Sequence, residues 1–285
     1  MENIANPNLD VKDVFMKCGT CSQTFAHLLN REFGNPDENI EHALNPLAGG
    51  IANRGHQCGM LWGAAMAIGA EAYHRYPDKE QALAISVTAT QQVVESFIKR
   101  SNTVNCKEII GYNLNSVFGM VGFMIKTMSR GMKNSQCFNL AADWAPEAIQ
   151  AGSKGLENDS IEIEGESFSC ASEVIKKMGG TDKEAQLVSG FAGGLGLSGK
   201  ACGALSAAIW YQTLQWCKNN PEKNPPMFKN PIAKDYISTF EKETNSCFNC
   251  EKITGYRFND INEHSNFINE GGCNTLINLL AKSPS

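Results

Sequence analysis

Residues 49–64 have the sequence GGIANRGHQCGMLWGA, and residues 193–208 have the related sequence GGLGLSGKACGALSAA. The two stretches share a glycine pair, one cysteine and several neighbouring residues at a constant offset of 144 residues. At the same offset, NCKEIIGYNLN over 105–115 matches NCEKITGYRFN over 249–259. So many identities in one register indicate an internal duplication. We therefore expect a fold built from two copies of one unit.

Each copy carries four cysteines in the same order. They are Cys21, Cys58, Cys106 and Cys137 in the first copy, and Cys170, Cys202, Cys250 and Cys273 in the second. Between the copies, the stretch over 152–167 is polar and rich in Gly, Ser and Glu, which is typical of a linker. We assign residues 1–151 to the first repeat, 152–167 to the linker and 168–285 to the second repeat.

Apolar residues recur at helical spacing through most of each copy, bounded by Gly, Pro or Asn. The predicted helices cover 60–76, 79–100, 114–132 and 138–150, then 182–191, 204–219, 232–243 and 274–282. The one fair strand candidate is SIEIE over 160–164. We predict an all-α protein of two tandem homologous helical bundles that pack as a pseudo-two-fold dimer.

Composition narrows the classes of function. The chain has 285 residues, a net charge of −5 and no run of Lys or Arg, which argues against a nucleic-acid partner. No uncharged apolar stretch reaches the roughly 20 residues of a membrane span, and the polar, acidic N-terminus does not resemble a secretion signal. We therefore expect a cytoplasmic protein without a membrane span. In that reducing compartment, eleven cysteines point to metal or redox chemistry rather than to disulfides.

The eight repeated cysteines are predicted to lie at or near helix starts. There, free N–H groups and the positive end of the helix dipole favour thiolates. Four converging thiolates can hold an iron–sulfur cluster, either [2Fe–2S] or [4Fe–4S], and we expect two clusters in each chain. Structural zinc also accepts four cysteines, although its ligands are usually paired at short spacing. Zinc or another soft metal, thiol–disulfide chemistry and a purely structural role stay open as alternatives.

The second cysteine of each copy lies in a motif that resembles the signature of a known family. The motif is CGMLWG over 58–63 and CGALSA over 202–207, and it departs from a CGAxxG-like pattern at Met60 and Ala207. The chain resembles two fused copies of the C-GCAxxG-C-C redox-active proteins, whose members usually carry one. A related module is similar to the iron–sulfur part of split-Soret cytochrome c. The resemblance implies cluster binding and electron transfer, and it specifies no reaction.

Four residues beside the cysteines are predicted to take part in cofactor binding. Gly59 and Gly203 directly follow a ligand, so they would leave room for a cluster and free an N–H toward it. His56 and Lys200 occupy equivalent positions two residues before the second cysteine of each copy. We expect each to place a positive charge beside the thiolates, with direct ligation by His56 as an alternative.

Two Cys-x-x-Cys pairs could suggest haem. They are CGTC over 18–21 and CFNC over 247–250, but Ser22 and Glu251 follow them, where covalent attachment of c-type haem requires histidine. We therefore predict no c-type haem.

Three cysteines do not belong to the repeated pattern. Cys18 and Cys247 each lie three residues before a predicted ligand, at positions that are not equivalent in the two copies. They could be extra ligands, a redox-active pair or tolerated surface thiols. Cys217 lies late in an apolar helix and is expected to pack in the core.

The leading hypothesis is an iron–sulfur protein with one four-cysteine site in each repeat, transferring electrons with a redox partner protein in an anaerobe's cytoplasm. One alternative is an iron–sulfur-dependent reductase that acts on a small molecule. Another is a protein that binds a soft metal such as zinc without a redox role. The sequence identifies no catalytic residue, and it is compatible with a homo-oligomer.

Overall fold

The computed structural model describes residues 10–158, 161, 163, 165–221, 223–226 and 229–282. Within these ranges the protein is all-α, and the one β-interaction is an isolated antiparallel bridge between Gln57 and Asn105. The predicted fold class is confirmed. The strand candidate over 160–164 lies largely outside the described residues, and Ile161 and Ile163 belong to no regular element. None of the described helices has the length and apolar content needed to cross a membrane.

Helices are distributed over both halves of the chain. The described α-helices of the first half are α1 (Val11–Cys18), α2 (Cys21–Phe33), α3 (Glu38–His42), α4 (Gly59–Arg75), α5 (Lys79–Ser101), α6 (Cys106–Ile110), α7 (Val117–Arg130) and α8 (Gln136–Leu156). Those of the second half are α9 (Cys170–Lys177), α10 (Asp182–Leu187), α11 (Gly203–Asn219), α12 (Pro231–Glu243), α13 (Cys250–Thr254), α14 (Ile261–Asn269) and α15 (Asn274–Ala281). Short 3₁₀ turns lie at Asn45–Leu47, Met132–Asn134 and Ser189–Phe191.

The predicted helices are present, with two notable differences. The segment predicted as one helix over 182–191 breaks at Val188 into α10 and a 3₁₀ turn. The last helix of the first half continues through Leu156, so the start of the predicted linker is helical. Packing explains this extension, because Gly155 lies so close to α5 that an added Cβ would be 2.6 Å from the Cα of Ala89. The local Gly/Ser composition therefore does not end the helix.

The two halves pack against each other through equivalent surfaces. Helix α4 of the first half contacts α10 and the 3₁₀ turn Ser189–Phe191 of the second. Helix α11, the counterpart of α4, contacts α3 and the 3₁₀ turn Asn45–Leu47 of the first half. At the offset of 144 residues these partners are themselves equivalent. Such reciprocity characterises an isologous interface, so the halves are related by a pseudo-two-fold axis.

One hydrophobic core runs through both halves. The buried Trp62 of α4 meets Phe191 of the second half edge-on, with ring centroids 4.8 Å apart. The buried Trp210 of α11 donates its indole N–H to the carbonyl of Ile40 in the first half at 3.3 Å. Buried aromatic side chains of this size dominate core energetics. The two repeats therefore share a core rather than forming two separate ones.

The halves differ in the helix between their third and fourth cysteines. Helices α7 and α14 begin at equivalent positions, but α7 has 14 residues and α14 has nine. In α14, Ile261 packs in a small cluster with Leu83 and Val87 of α5. By contrast, no residue of α7 is buried. The longer helix of the first half thus contributes no buried residue to the shared core, although its half-buried Phe123 packs against it.

A histidine of α14 is buried. His264 is 1% exposed, its Nδ1 lies 3.0 Å from the carbonyl oxygen of Phe168, and its ring meets Phe258 edge-on. Burial lowers the pKa of His264 to about 4, with the hydrogen bond to Phe168 opposing this shift. The carbonyl can only accept, so the neutral imidazole donates from Nδ1.

Acidification should therefore destabilise the protein. Above pH 6.5, His264 is neutral in both the folded and the unfolded protein. Between pH 6.5 and 4, the imidazole binds a proton in the unfolded protein but not in the folded protein. We expect a loss of about 2 kcal/mol from this group at pH 5 relative to pH 7, measured by urea unfolding. The His264→Gln variant, which retains a donor, should lack this part of the pH dependence. An unchanged pH dependence in the variant would contradict the assignment.

Candidate functional site

The eight repeated cysteines form two groups of four thiols, one in each half. Site 1 consists of Cys21, Cys58, Cys106 and Cys137, and site 2 consists of Cys170, Cys202, Cys250 and Cys273. In site 1 the Cys21 and Cys58 thiols share a hydrogen bond. In site 2, burial raises the pKa of Cys250 well above its usual value, and the three neighbouring thiols raise it further. The four cysteines of each copy thus lie near one another, and their role as ligands stays a prediction.

Each of these thiols lies at the start of a helix, as predicted. Four of them are the first residue of a helix: Cys21 of α2, Cys106 of α6, Cys170 of α9 and Cys250 of α13. Three are N-caps: Cys58 of α4, Cys202 of α11 and Cys273 of α15. Cys137 is the second residue of α8. Thr20 fixes the start of α2 by accepting from the Gln23 amide at 3.3 Å, and Ser169 caps α9 in the same way. The positive ends of several helix dipoles therefore lie beside each group of thiols.

Backbone amides donate to the sulfur atoms in an equivalent way in both halves. The N–H of Gly49 donates to the Cys21 thiol, and the N–H of Gly193 donates to the Cys170 thiol. Amides at the starts of α4 and α11 donate to Cys58 and Cys202. Hydrogen bonds of this kind stabilise thiolates and help to set the reduction potential of iron–sulfur clusters.

The glycine pairs begin a left-handed turn in each half. All five residues over 49–53 have positive φ, of 66°, 76°, 62°, 49° and 64°, and the five over 193–197 have φ of 56°, 81°, 73°, 54° and 58°. For residues other than glycine this conformation costs about 1–2 kcal/mol each, and the β-branched Ile51 is especially unsuited to it. Tertiary contacts must therefore hold the turns in place. In both halves, the first residue of the turn supplies the amide that reaches a thiol.

A pair of backbone hydrogen bonds holds two thiols of site 1 in place. The amide of Cys58 donates to Val104 O at 2.8 Å, and the amide of Cys106 donates to His56 O at 2.7 Å. These bonds flank the isolated antiparallel bridge described above. Two cysteines that are 48 residues apart in the sequence are thereby fixed next to each other.

The glycines that follow the second cysteine are required by close contacts. A Cβ on Gly59 would lie 2.5 Å from Sγ of Cys21, and a Cβ on Gly203 would overlap the carbonyl oxygen of Phe191. The sequence suggested room for a cluster at both positions. In the structure, the Cys21 thiol occupies the space beside Gly59, and the backbone of Phe191 occupies the space beside Gly203. Their contact with a cluster stays a prediction.

His56 and Lys200 do not have equivalent surroundings. The His56 ring stacks on Phe248 of the second half with centroids 4.1 Å apart, and burial together with Arg54 lowers the pKa of His56 to about 4. His56 is therefore neutral at pH 7, and the positive charge expected there is absent because burial disfavours imidazolium. Lys200 is exposed and pairs with Glu251 at 4.0 Å.

Burial raises the pKa of most of the eight thiols, for example to about 12 for Cys137 and Cys202. Cys21 is the exception, because the Cys58 thiol donates to its sulfur and lowers its pKa. A cation would thus be needed to make four thiolates, and its binding would release protons. Buried thiols with amide donors form a soft donor set that fits an iron–sulfur cluster. Among the described residues, no three Cys, His, Asp or Glu side chains are grouped to hold a single metal ion.

The remaining three cysteines are outside the repeated pattern. Burial, assisted by Glu41, raises the pKa of Cys18 to about 11. The Cys247 thiol donates to Asn249 O at 3.8 Å. Cys217 is 2% exposed in the core, as its position in an apolar helix suggested.

We expect Cys18→Ser and Cys247→Ser to leave the metal content unchanged. A ligand needed by a duplicated site should recur in both copies, but the equivalent positions hold Ser167 and Thr103, which are poor donors to iron. The measurement is iron per chain after anaerobic purification. Loss of iron, or an altered EPR spectrum, in either variant would show a site with five thiols.

The two sites are linked through one buried glutamine that sequence analysis did not identify. Gln57 precedes Cys58, and its Nε2 donates to Gly194 O at 3.0 Å and to Ser198 Oγ at 2.8 Å. A Cβ on Gly194 would lie 3.0 Å from Cβ of Cys250. A short covalent and hydrogen-bonded path therefore joins site 1 to site 2. The position equivalent to Gln57 holds alanine, so the repeat pattern gave no signal for it.

These features define a class: an all-α, internally duplicated protein with four cysteines near helix starts in each half. A family model described as "Putative redox-active protein (C_GCAxxG_C_C)" matches residues 19–149 and again 168–283. The chain belongs to this family and carries two copies of its unit. No curated protein and no solved structure matches the chain.

Proposed function

We propose that the protein binds one iron–sulfur cluster at each four-thiol site and transfers electrons with a partner protein in the cytoplasm of an anaerobe. One observation carries the proposal: four cysteines from distant parts of each half lie together at helix starts with amide donors beside them. Membership in a redox-active family supports the same conclusion. A cluster bound there would supply one-electron chemistry.

The chain's own residues would hold, stabilise and shield the clusters. The eight cysteines would be the ligands, and the amides of Gly49 and Gly193 would stabilise one thiolate in each site. Cys58 and Cys250 are only 5% and 8% exposed, whereas Cys137 and Cys273 are more accessible. Electrons can cross a thin layer of protein, but a substrate must reach the reacting atoms. This burial therefore favours an electron carrier over a reductase.

The path through Gln57 supports electron exchange between the two sites. Gln57 precedes the predicted ligand Cys58, and its side-chain amide donates to the carbonyl of Gly194. Gly194 in turn packs against the predicted ligand Cys250. Two clusters joined in this way could accept electrons at one site and release them at the other. Cys137 and Cys273 lie on the more open sides of the two sites, which suits contact with a partner.

Anaerobic purification followed by iron, sulfide and zinc analysis tests the proposal. We expect iron and acid-labile sulfide in similar amounts, with an EPR signal on reduction or oxidation. Zinc without sulfide in the purified protein, and no incorporation of iron when it is reconstituted with iron and sulfide, would overturn the proposal. A redox titration would then measure whether one potential or two describe the bound clusters.

A further inference from the structure

Helix α7 presents an apolar face that none of the described residues covers. Its exposed large apolar residues, with exposed fractions from 48% to 92%, are Val117, Phe118, Val121, Met124, Ile125 and Met128, and Met132 follows at 52%. The opposite side of the helix faces Tyr112, where Phe123 packs at a centroid distance of 6.2 Å and Lys126 lies over the ring. The apolar face is therefore directed away from the protein.

The spacing of these residues follows a heptad repeat. Within α7, Phe118, Val121, Ile125 and Met128 are separated by three, four and three residues, which is the pattern of the a and d positions of a coiled coil, and Met132 lies just beyond the end of the helix. We call this row of apolar residues on α7 the seam. In a coiled coil, each helix inserts the side chains of its seam into the spaces between those of its neighbour's seam. An isolated solvent-exposed helix has no need for this spacing.

The size of the face matches a protein interface. The exposed fractions correspond to apolar surface on the order of 800 Å², about the area that each partner buries in a standard-sized interface. The largest apolar patch on a typical monomer covers roughly 300–600 Å². A face of this extent therefore requires a partner.

The charges of α7 are compatible with self-pairing. Lys126 and Arg130, its only charged residues, lie on the side opposite the seam. The positions flanking the seam are uncharged, so two copies would meet without opposed like charges. The flanks also carry no charge pattern that would select a different helix. A symmetric pair, in which the same face is used twice, satisfies both conditions.

We propose that the outward face of α7 is a self-association surface on which a second copy of this chain packs its own α7. The surface belongs to the first half alone, because the equivalent helix α14 is shorter and packs on α5. Two chains would then form a dimer of duplicated proteins, with four four-thiol sites in all. This proposal does not depend on what the thiols bind.

Sedimentation velocity from about 1 to about 100 µM tests this assignment on the full chain. We expect a species of twice the chain mass of 31.0 kDa in the upper part of the range. Ile125→Glu places a charge in the seam and should weaken association at least about 100-fold. Thr127→Glu makes the same change of charge on the far side of the helix and should leave association unchanged. Far-UV circular dichroism should be the same for all three proteins, since Ile125 is 64% exposed.

Three results would overturn the proposal. The protein could stay monomeric at every concentration. The dimer could persist in Ile125→Glu and in a second seam variant, Phe118→Glu, which would place the interface elsewhere. Lastly, a monomer that binds anionic phosphatidylserine vesicles, and loses this binding on Ile125→Glu, would identify a lipid surface as the occupant.

Discussion

Cys58→Ala and Cys202→Ala should each remove about half of the iron from anaerobically purified protein, and the double variant should retain almost none. The reason is that the thiols form two separate groups of four, and each substitution removes one thiol from one group. Metal binding contributes to folding, so each variant should also lose helix content in its own half. Iron analysis and far-UV circular dichroism measure the two effects.

The matched control for these variants is Cys217→Ala. Cys217 is as buried as the site cysteines but lies in neither group, so its replacement should lower stability by about 1 kcal/mol and leave iron unchanged. Complete loss of iron in one single-site variant would show that the halves share one cluster. Equal iron in all three variants would show that these thiols are not ligands.

Gly203→Ala should lower the free energy of unfolding by about 3 kcal/mol or more and empty site 2. The added methyl group would overlap the carbonyl oxygen of Phe191 and lie 2.7 Å from its carbonyl carbon. Both are backbone atoms of a turn that is itself packed against α5. Relief would require α11 to move, and Cys202 is the N-cap of that helix. Urea unfolding and iron analysis would report the two consequences together.

Gly255→Ala separates the clash from the ordinary cost of replacing a glycine. Gly255 has a φ of +71°, and an added Cβ would meet nothing within 4 Å. Its replacement should therefore cost only about 1 kcal/mol, from backbone strain. If Gly203→Ala cost no more than Gly255→Ala, the start of α11 would be free to shift, and the close packing described here would be wrong.

The sequence predicted eight of the described α-helices but not α1, α3 or α14, and it suggested how the thiols are grouped. Apolar periodicity located the helices, and the duplication sorted eight of eleven cysteines into two sets of four. An inherited pattern of this kind carries three-dimensional information, since equivalent positions occupy equivalent places. Cys18 and Cys247 break the pattern, and for this reason we predict that they are not ligands.

Features that depend on tertiary contacts could not be predicted. The glycines at 49–50 allow a left-handed turn, but its continuation through Ile51 and Ala52 opposes their local preference and is set by packing. Apolar periodicity predicted that α7 is a helix, but the sequence did not indicate that its apolar face would be exposed. The neutral state of His56 likewise follows from burial against Phe248, a residue of the other half.

The reciprocal packing of α4 and α11 has a consequence for how the molecule assembles. A chain with one repeat could bury these surfaces only against a second molecule, and dilution would then separate the pair. Here the two partners are covalently joined, so their encounter is intramolecular and their pairing is independent of protein concentration. Because the two halves are parts of one chain, their sequences and structures can also differ. The longer α7 in one half and the shorter α14 in the other make the two halves different, which a symmetric pair of identical chains could not be.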